Sequence, residues 1–339
     1  MATRERILQE LLILGTIMLG AIIGDIVGSK YEFNNTFDYN FEMFGEGCDF
    51  TDDTICTVAI ADAVLNKRSY QESLHDWCRR YPNPKGAYGG RFAAWVHSDN
   101  PQPYNSFGNG SAMRVSPVAW LFDDLPQVLE EAEKTALPTH NHPEGIKGAK
   151  AVAHSIWHFR KNKESHISDN EALTTFMDIA RSYYEDFDTR NYPKGVFDET
   201  CMDAVPLSLG LIAKSKSFED AIRLAVSHGG DSDTIGAIVG SIAEARFGIP
   251  LETRFKTLSF LPKDMKEIYQ QFKAVGEIKN IEKTEREIKA GKRTFLTDFH
   301  RQNTIGALND IKEMLKHPYT REQKLEQIQK IHAQNQRNK

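Results

Sequence analysis

Two short segments carry the residue types that chemistry needs. Thr51-Asp52-Asp53-Thr54 sets two adjacent carboxylates between hydroxyls at the mouth of an apolar run. His228-Gly229-Gly230-Asp231-Ser232-Asp233-Thr234 leads a glycine pair into D-x-D-T, again ahead of an apolar run. Either segment alone reads as a helix N-cap, where a hydroxyl caps and acids favour the positive end of the helix dipole. Together they pose a conflict. The runs that follow are too apolar to be solvent-exposed, so four partly buried carboxylates would stand without a lysine or arginine in either motif, which is costly. Divalent cations resolve it. Two Mg²⁺ ions, or Mn²⁺, could share oxygens of Thr51, Asp52, Asp53, Asp231, Asp233 and Thr234. Paired ions of this kind activate water and orient hydroxyl oxygens.

A third segment, Ser106-Phe107-Gly108-Asn109-Gly110-Ser111-Ala112-Met113-Arg114, places glycines around an asparagine just before a helical run. Such a loop lets backbone N–H groups approach an anion, and Arg114 could add charge. It fits neither the phosphate-loop nor the dinucleotide fingerprint. The pair His140 and His142 lacks the cysteine or H-E-x-x-H context of a zinc site. No G-x-S-x-G elbow occurs.

The elements that must position these residues read as helices, with no convincing period-2 strand. Ile235, Ile238, Val239 and Ile242 follow the helical period, with Gly248 and Pro250 as stop signals. Ser217 and Asp220 have capping-box spacing ahead of Ala221, Ile222 and Ala225. Residues 144–160 put Ile146, Ala149, Ala153, Ile156 and Trp157 on one face. The segment from Thr51 is apolar nearly all round, as a central helix would be. Gly20, Gly24 and Gly28, and later Gly236 and Gly240, recur every four residues and predict close packing of helix backbones. The stretch 82–110 is rich in Pro, Gly and Asn, and reads as functional loop.

Length and composition set the outer bounds. The chain has 339 residues, 40% hydrophobic and 26% charged, enough for a substantial core. Cys48, Cys56, Cys78 and Cys201 form no C-x-x-C pair, so reduced thiols in a cytoplasmic protein are expected. The longest uncharged run, Leu11 to Gly24, has 14 residues, where a bilayer needs about 20, so no membrane role is expected. The net charge of -5 argues against a globally basic nucleic-acid binder. It hides an asymmetry: residues 276–339 hold 14 Lys+Arg against 9 Asp+Glu, leaving the rest at -10. The basic tail is thus open to polyanions even though the body is not. It carries short apolar stripes, Leu308, Ile311 and Leu315, then Leu325, Ile328 and Ile331, with Thr320 and Gln323 at capping spacing.

In this order, GAIIGDIVGSKYEF, FTDDT, YGGRF, SFGNGSAMRVSPVAW, THNHPEGIKGA and HGGDSDTIGAIVGSIAEARFGIP resemble the ADP-ribosylglycohydrolase family over residues 18–275. The resemblance implies an all-α domain of compact, orthogonal helices with a binuclear Mg²⁺ centre. It implies an enzyme that hydrolyses the bond at ribose C1 to remove ADP-ribose from an acceptor. Arginine side chains of proteins are the favoured acceptor; O-acetyl-ADP-ribose, ADP-ribosylated nucleic acid and a non-catalytic ADP-ribose-binding role are the alternatives. It maps the metal ligands onto Thr51, Asp52, Asp53, Asp231, Asp233 and Thr234. It places Glu32 at the metal centre with a part in catalysis, and either Asp53 or Glu32 is expected to handle the proton of the attacking water. It makes Asn109, Gly110, Ser111 and Met113 candidates for the ADP-ribose loop and has Tyr88, Gly89, Gly90 and His140 line the substrate cleft. Residues 1–17 are then an N-terminal extension and 276–339 a helical appendage, in a chain expected to be monomeric.

Overall fold

The computed structural model describes residues 17–290, 305–306, 308–313 and 316. The expectations for residues 1–16, for Leu315 and for the stripe and cap between Thr320 and Ile331 lie outside them. The described residues are all-α, with only two isolated bridges, Thr51 with Lys85 and Gly108 with Thr200. The helices are α1 (Leu19–Gly28), α2 (Asp52–Asn66), α3 (Tyr70–Arg80), α4 (Gly90–His97), α5 (Gly110–Met113), α6 (Ser116–Leu121) and α7 (Leu125–Ala136). They continue as α8 (Pro143–Glu164), α9 (Asp169–Tyr183), α10 (Cys201–Lys214), α11 (Phe218–Val226), α12 (Ser232–Phe247), α13 (Leu251–Phe260) and α14 (Lys263–Lys289).

The chain divides into two compact units, residues 16–272 and a second that includes residues 273–290 and the described residues from 305 to 316. In the second, Ile281, Ile288 and Leu308 form a small apolar cluster flanked by Ile305 and Ile311. Lys312 pairs with Glu282 at 2.6 Å.

Within residues 16–272 the centre is α12, buried from Ser232 to Arg246. It packs against α1, α8, α10 and α11. The pairing with α1 is antiparallel and explains the glycine rows. A Cβ on Gly20 would strike the carbonyl of Gly240, one on Gly24 the carbonyl of Gly236, and one on Gly28 the backbone of Ser232 and Asp233. Only hydrogen at these positions lets two helix backbones touch. The start of α1 is fixed by the same partner, because the Gly20 N–H donates to Glu244 Oε2 at 2.8 Å. Helix α2 is buried from Asp53 to Ala63 and packs on α1, α3 and α6. Further out, Ser217 caps α11 by accepting from the Asp220 N–H, as the capping spacing predicts.

Candidate metal centre

All ten residues of α1 are buried, and one of them, Asp25, is ionisable. Its carboxylate accepts from the N–H groups of Thr51 and Thr54 at 3.0 Å each, from the Thr51 hydroxyl at 2.8 Å and from the Thr54 hydroxyl. These are the donors that the first turn of α2 leaves without intrahelical partners. Thr51 occupies the N-cap position and accepts from the Asp53 N–H at 3.2 Å. Asp25 carries the larger share of the capping from the neighbouring helix. Asp52 and Asp53 are thereby released from local capping.

The other mouth is built from loops. Gly229 and Gly230 take φ of +78° and +86°, a left-handed region where a side chain would be strained. They turn the chain so that Asp231 stands at the start of α12, with no side-chain cap of its own. Asn35 clamps this turn: its amide donates to the Gly230 carbonyl at 2.9 Å and accepts from the Gly230 N–H at 2.8 Å. The same amide holds the Tyr31 carbonyl at 2.7 Å. Asn35 thus ties the loop that carries Glu32 to the loop that carries Asp231. Asn109 Nδ2 donates to Asp231 Oδ2 at 2.6 Å, and its backbone N–H donates to the Glu199 carbonyl at 2.6 Å.

The two mouths meet. Carboxylate oxygens of Asp25, Asp53 and Asp233 lie within 4.8 Å of one another, and so do those of Glu32, Asp231 and Asp233. Asp233 belongs to both groups. Thr234 donates to Asp53 at 3.1 Å, linking α12 directly to α2. Because Asp25 already accepts four hydrogen bonds, the spare acceptor capacity lies with the other members. Asp233 Oδ1 and Glu32 Oε2 are buried and have no hydrogen-bond partner. Buried oxygens of that kind are costly unless a proton or a cation meets them.

The electrostatics agree. Burial and the neighbouring carboxylates push Asp52 up to about 8 and Glu32 up to about 7. Burial raises Asp25 to about 6 against the opposing pull of the Thr51 and Thr54 bonds. Asp53 and Asp233 are held well above the ordinary carboxylate range by burial first and by the neighbouring carboxylates second. Asp231 is raised by burial, although its bonds to Asn109 and Thr234 lower it. Like charges held together in a buried site are the setting that a divalent cation stabilises. The donors are hydroxyl and carboxylate oxygens, which suit a hard ion. The residues present therefore fit a metal.

The residues expected at the ADP-ribose loop and the substrate cleft divide into several groups. Gly89 and Gly90 open α4 on an exposed surface with space beside them. Gly110 lies against His140, whose ring atoms Cε1 and Nε2 stand 3.1 Å from where a Cβ would be. Burial and the nearby Arg114 and Arg91 keep His140 neutral. The Thr139 hydroxyl accepts from Arg114 at 2.8 Å and lies 2.7 Å from His140 Nδ1. His140 Nε2 faces the glycine loop. By contrast, the Ser111 hydroxyl is used internally on the Gly145 carbonyl at 2.7 Å. The Tyr88 hydroxyl is likewise used on the Tyr81 carbonyl at 2.8 Å, and Met113 is buried. Arg114, read from sequence as an added charge for an anion, is buried with its guanidinium on the Thr135 carbonyl and Thr139. A cavity of about 390 Å³ adjoins the centre, lined by Arg91, Ser106, Phe107, Gly108, Phe197, Asp198, Glu199 and Thr200. Its link to the metal residues is Asn109, which bonds both Glu199 and Asp231.

The model of the family described as ADP-ribosylglycohydrolase matches residues 9–277. The chain belongs to the ADP-ribosylglycohydrolase family. Among its relatives, the ADP-ribosyl-[dinitrogen reductase] glycohydrolase of Rhodospirillum rubrum is 25% identical, over 68% of this chain and 84% of that one. The ADP-ribosylarginine hydrolase Tri1 of Pseudomonas putida is 24% identical, over 68% and 70%. A solved structure titled ADP-ribosylglycohydrolase-related protein complex superposes with a TM-score of 0.59 at 23% identity, covering 77% of this chain and 94% of that one. As an ADP-ribosylglycohydrolase, this protein is a hydrolase of glycosidic bonds to ADP-ribose on modified acceptors. The acidic residues at the mouths of α2 and α12 are its candidate metal site.

Sequence reading of this ADP-ribosylglycohydrolase passed over Asp25, Asn35, Arg91 and Phe197. Asp25 had a signal: a lone acid inside an otherwise apolar, glycine-laddered helix must be hydrogen-bonded or ligated. Arg91 stands within the quoted YGGRF stretch. Asn35 and Phe197 sit in loops whose meeting no spacing rule foretells.

Proposed function

We propose that this protein binds two divalent cations, Mg²⁺ or Mn²⁺, and releases ADP-ribose from arginine side chains of a protein by hydrolysis at ribose C1. The observation that carries the metal reading is the Glu32, Asp231 and Asp233 group, in which Asp233 bears an unpartnered buried oxygen and also lies close to Asp53. Thr51, Asp52, Asp53, Asp231, Asp233 and Thr234 would hold the ions, with Glu32 at the edge of the second group. Asp25 is left out of this set because its oxygens are already occupied by α2. When bound, such ions supply a polarised water and a grip on the ribose hydroxyls.

The remaining steps fall to the chain's own residues. Cleavage at C1 builds positive charge on the sugar, which the surrounding carboxylates stabilise. Proton transfer is assigned to Glu32 and Asp53. Glu32 is the better placed of the two: Oε2 is unpartnered, whereas the Asp53 carboxylate accepts from Thr234. The loop Gly108–Gly110, His140 Nε2 and Arg91 are the groups available to the pyrophosphate. Arginine is favoured because the named activities of the Rhodospirillum and Pseudomonas relatives concern a protein and an arginine acceptor.

Catalysis is assigned to residues 18–275 and the appendage to residues 276–339. A cytoplasmic location is supported by four cysteines that are all free. The test is a panel of defined ADP-ribosylated substrates assayed with Mg²⁺ and with EDTA. Mg²⁺-dependent release from the arginine substrate is expected, and its loss in Asp231→Ala/Asp233→Ala. Turnover unchanged by that double substitution overturns the metal assignment.

A further inference from the structure

Four large apolar side chains stand in the open beside the acidic centre. Phe33, Phe37, Val196 and Phe197 are 73%, 56%, 49% and 45% exposed. Single exposed apolar residues are ordinary, but a contiguous group marks a surface that something covers. These four come from two loops that meet, 33–37 and 195–197. The rings of Phe33 and Phe197 stack with centroids 6.1 Å apart. Phe37 lies against Gly195 and Gly229. The backbone beneath them is fixed: Asn35 bonds Gly230 in both directions, and the Gly195 N–H donates to the His228 carbonyl at 2.9 Å. The exposure is therefore held in place by the fold.

The charge around this group points to one kind of partner. Outside the metal site, residues 33–51 carry four Asp and Glu and no Lys or Arg, and residues 185–203 carry six against two. Phe33 follows Glu32 of the centre directly, and Phe197 precedes Asp198 and Glu199 of the adjoining cavity. We propose that Phe33, Phe37, Val196 and Phe197 are the docking face for the polypeptide segment that bears the ADP-ribosylated residue, and that the face selects segments with basic and aliphatic flanks. The acidic surround attracts a cationic segment and repels a phosphodiester backbone. The aromatic faces take aliphatic stems and guanidinium groups. The inference rests on the proposed activity, since it names what that activity's acceptor looks like.

The experiment compares four substrates on the full chain with Mg²⁺: free ADP-ribosyl-arginine, the same residue in a Lys/Leu-flanked peptide and in a Glu-flanked peptide, and an ADP-ribosylated oligonucleotide. The wild type should favour the Lys/Leu peptide over the Glu peptide by about tenfold in kcat/KM, and added salt should shrink the gap. Phe33→Ala/Phe37→Ala should erase that preference through KM, leaving kcat and the free substrate unchanged. Phe33→Ala alone, at the most exposed position, serves if the double variant melts early. Equal rates on the two peptides, a best rate on the oligonucleotide, or equal losses on free and peptide substrates would each overturn the proposal. No turnover of any substrate by the wild type removes the activity itself, and the docking face with it.

Discussion

The mouths of α2 and α12 carry nearly the same signature, two acids with hydroxyls beside them, yet they are held in different ways. The α2 mouth is anchored by a neighbouring helix, four donors converging on the buried carboxylate of Asp25. The α12 mouth has no side-chain cap and is shaped by a glycine turn, Asn35 and Asn109. The α2 mouth is thus set by helix packing, while the α12 mouth, whose Ser232 and Asp233 backbone also rests on Gly28 of α1, adds loop contacts. Helix packing tolerates loss poorly, whereas a loop clamp can be loosened while the fold survives.

The largest effect separating the two should come from Asp25→Ala. It strips the first turn of α2 of its partners and should destabilise the protein by about 3 kcal/mol. Denaturant unfolding measures this, and a change too small to resolve would remove the contrast. A second effect concerns the carboxylates of both mouths together. Their folded values lie above the ordinary range, with Asp25 at about 6, Glu32 at about 7 and Asp52 at about 8. The native state then binds more protons than the unfolded one between about pH 4 and 8, so stability in EDTA should fall as pH rises through that window. Mg²⁺ should flatten the decline. Melting temperatures at intervals from pH 5 to 8 check both statements, and a rise with pH in EDTA contradicts the site's electrostatics.

Asn35→Ala is the loop counterpart. It should cost about 1.5 kcal/mol, roughly half the Asp25 loss. Mn²⁺ affinity read by calorimetry should fall about tenfold, because the Glu32 and Asp231 loops come apart. A stability loss equal to that of Asp25→Ala would mean that the two mouths are supported alike. The smallest effect belongs to Tyr39→Phe, which removes an exposed bond to Asp220 from the same loop without touching the clamp on Gly230. It should stay within about 0.5 kcal/mol and leave Mn²⁺ affinity unchanged, separating the clamp from general loosening of the loop.

Local pattern made much of this legible. The helical period placed α8, α11 and α12, and the glycine spacing foretold close backbone packing without naming the partner. Charge imbalance in two motifs was enough to call for cations, since Asp52, Asp53, Asp231 and Asp233 had no basic neighbour in sequence. What stayed hidden depends on contacts between distant segments. Thr51 reads as a cap from its position, but the dominant cap is Asp25, 26 residues earlier. Ser111 and Tyr88 stand in stretches expected to meet substrate, and their hydroxyls bond nearby carbonyls. Arg114 follows a glycine loop and so suggests an anion partner, while the fold turns it inward to Thr135 and Thr139. Residue type and spacing state what a group can do, and only tertiary partners state whether it is already engaged.

The glycine rows of α1 and α12 have a consequence for Asp25 and Asp233. Both ride on helices whose backbones rest on each other, with no side chain between to yield or to be exchanged. The two rows act as a gauge block cut from main chain. Substitutions that repack the core elsewhere leave the interval it sets between the two helices unaltered, while one methyl on either row alters it at once.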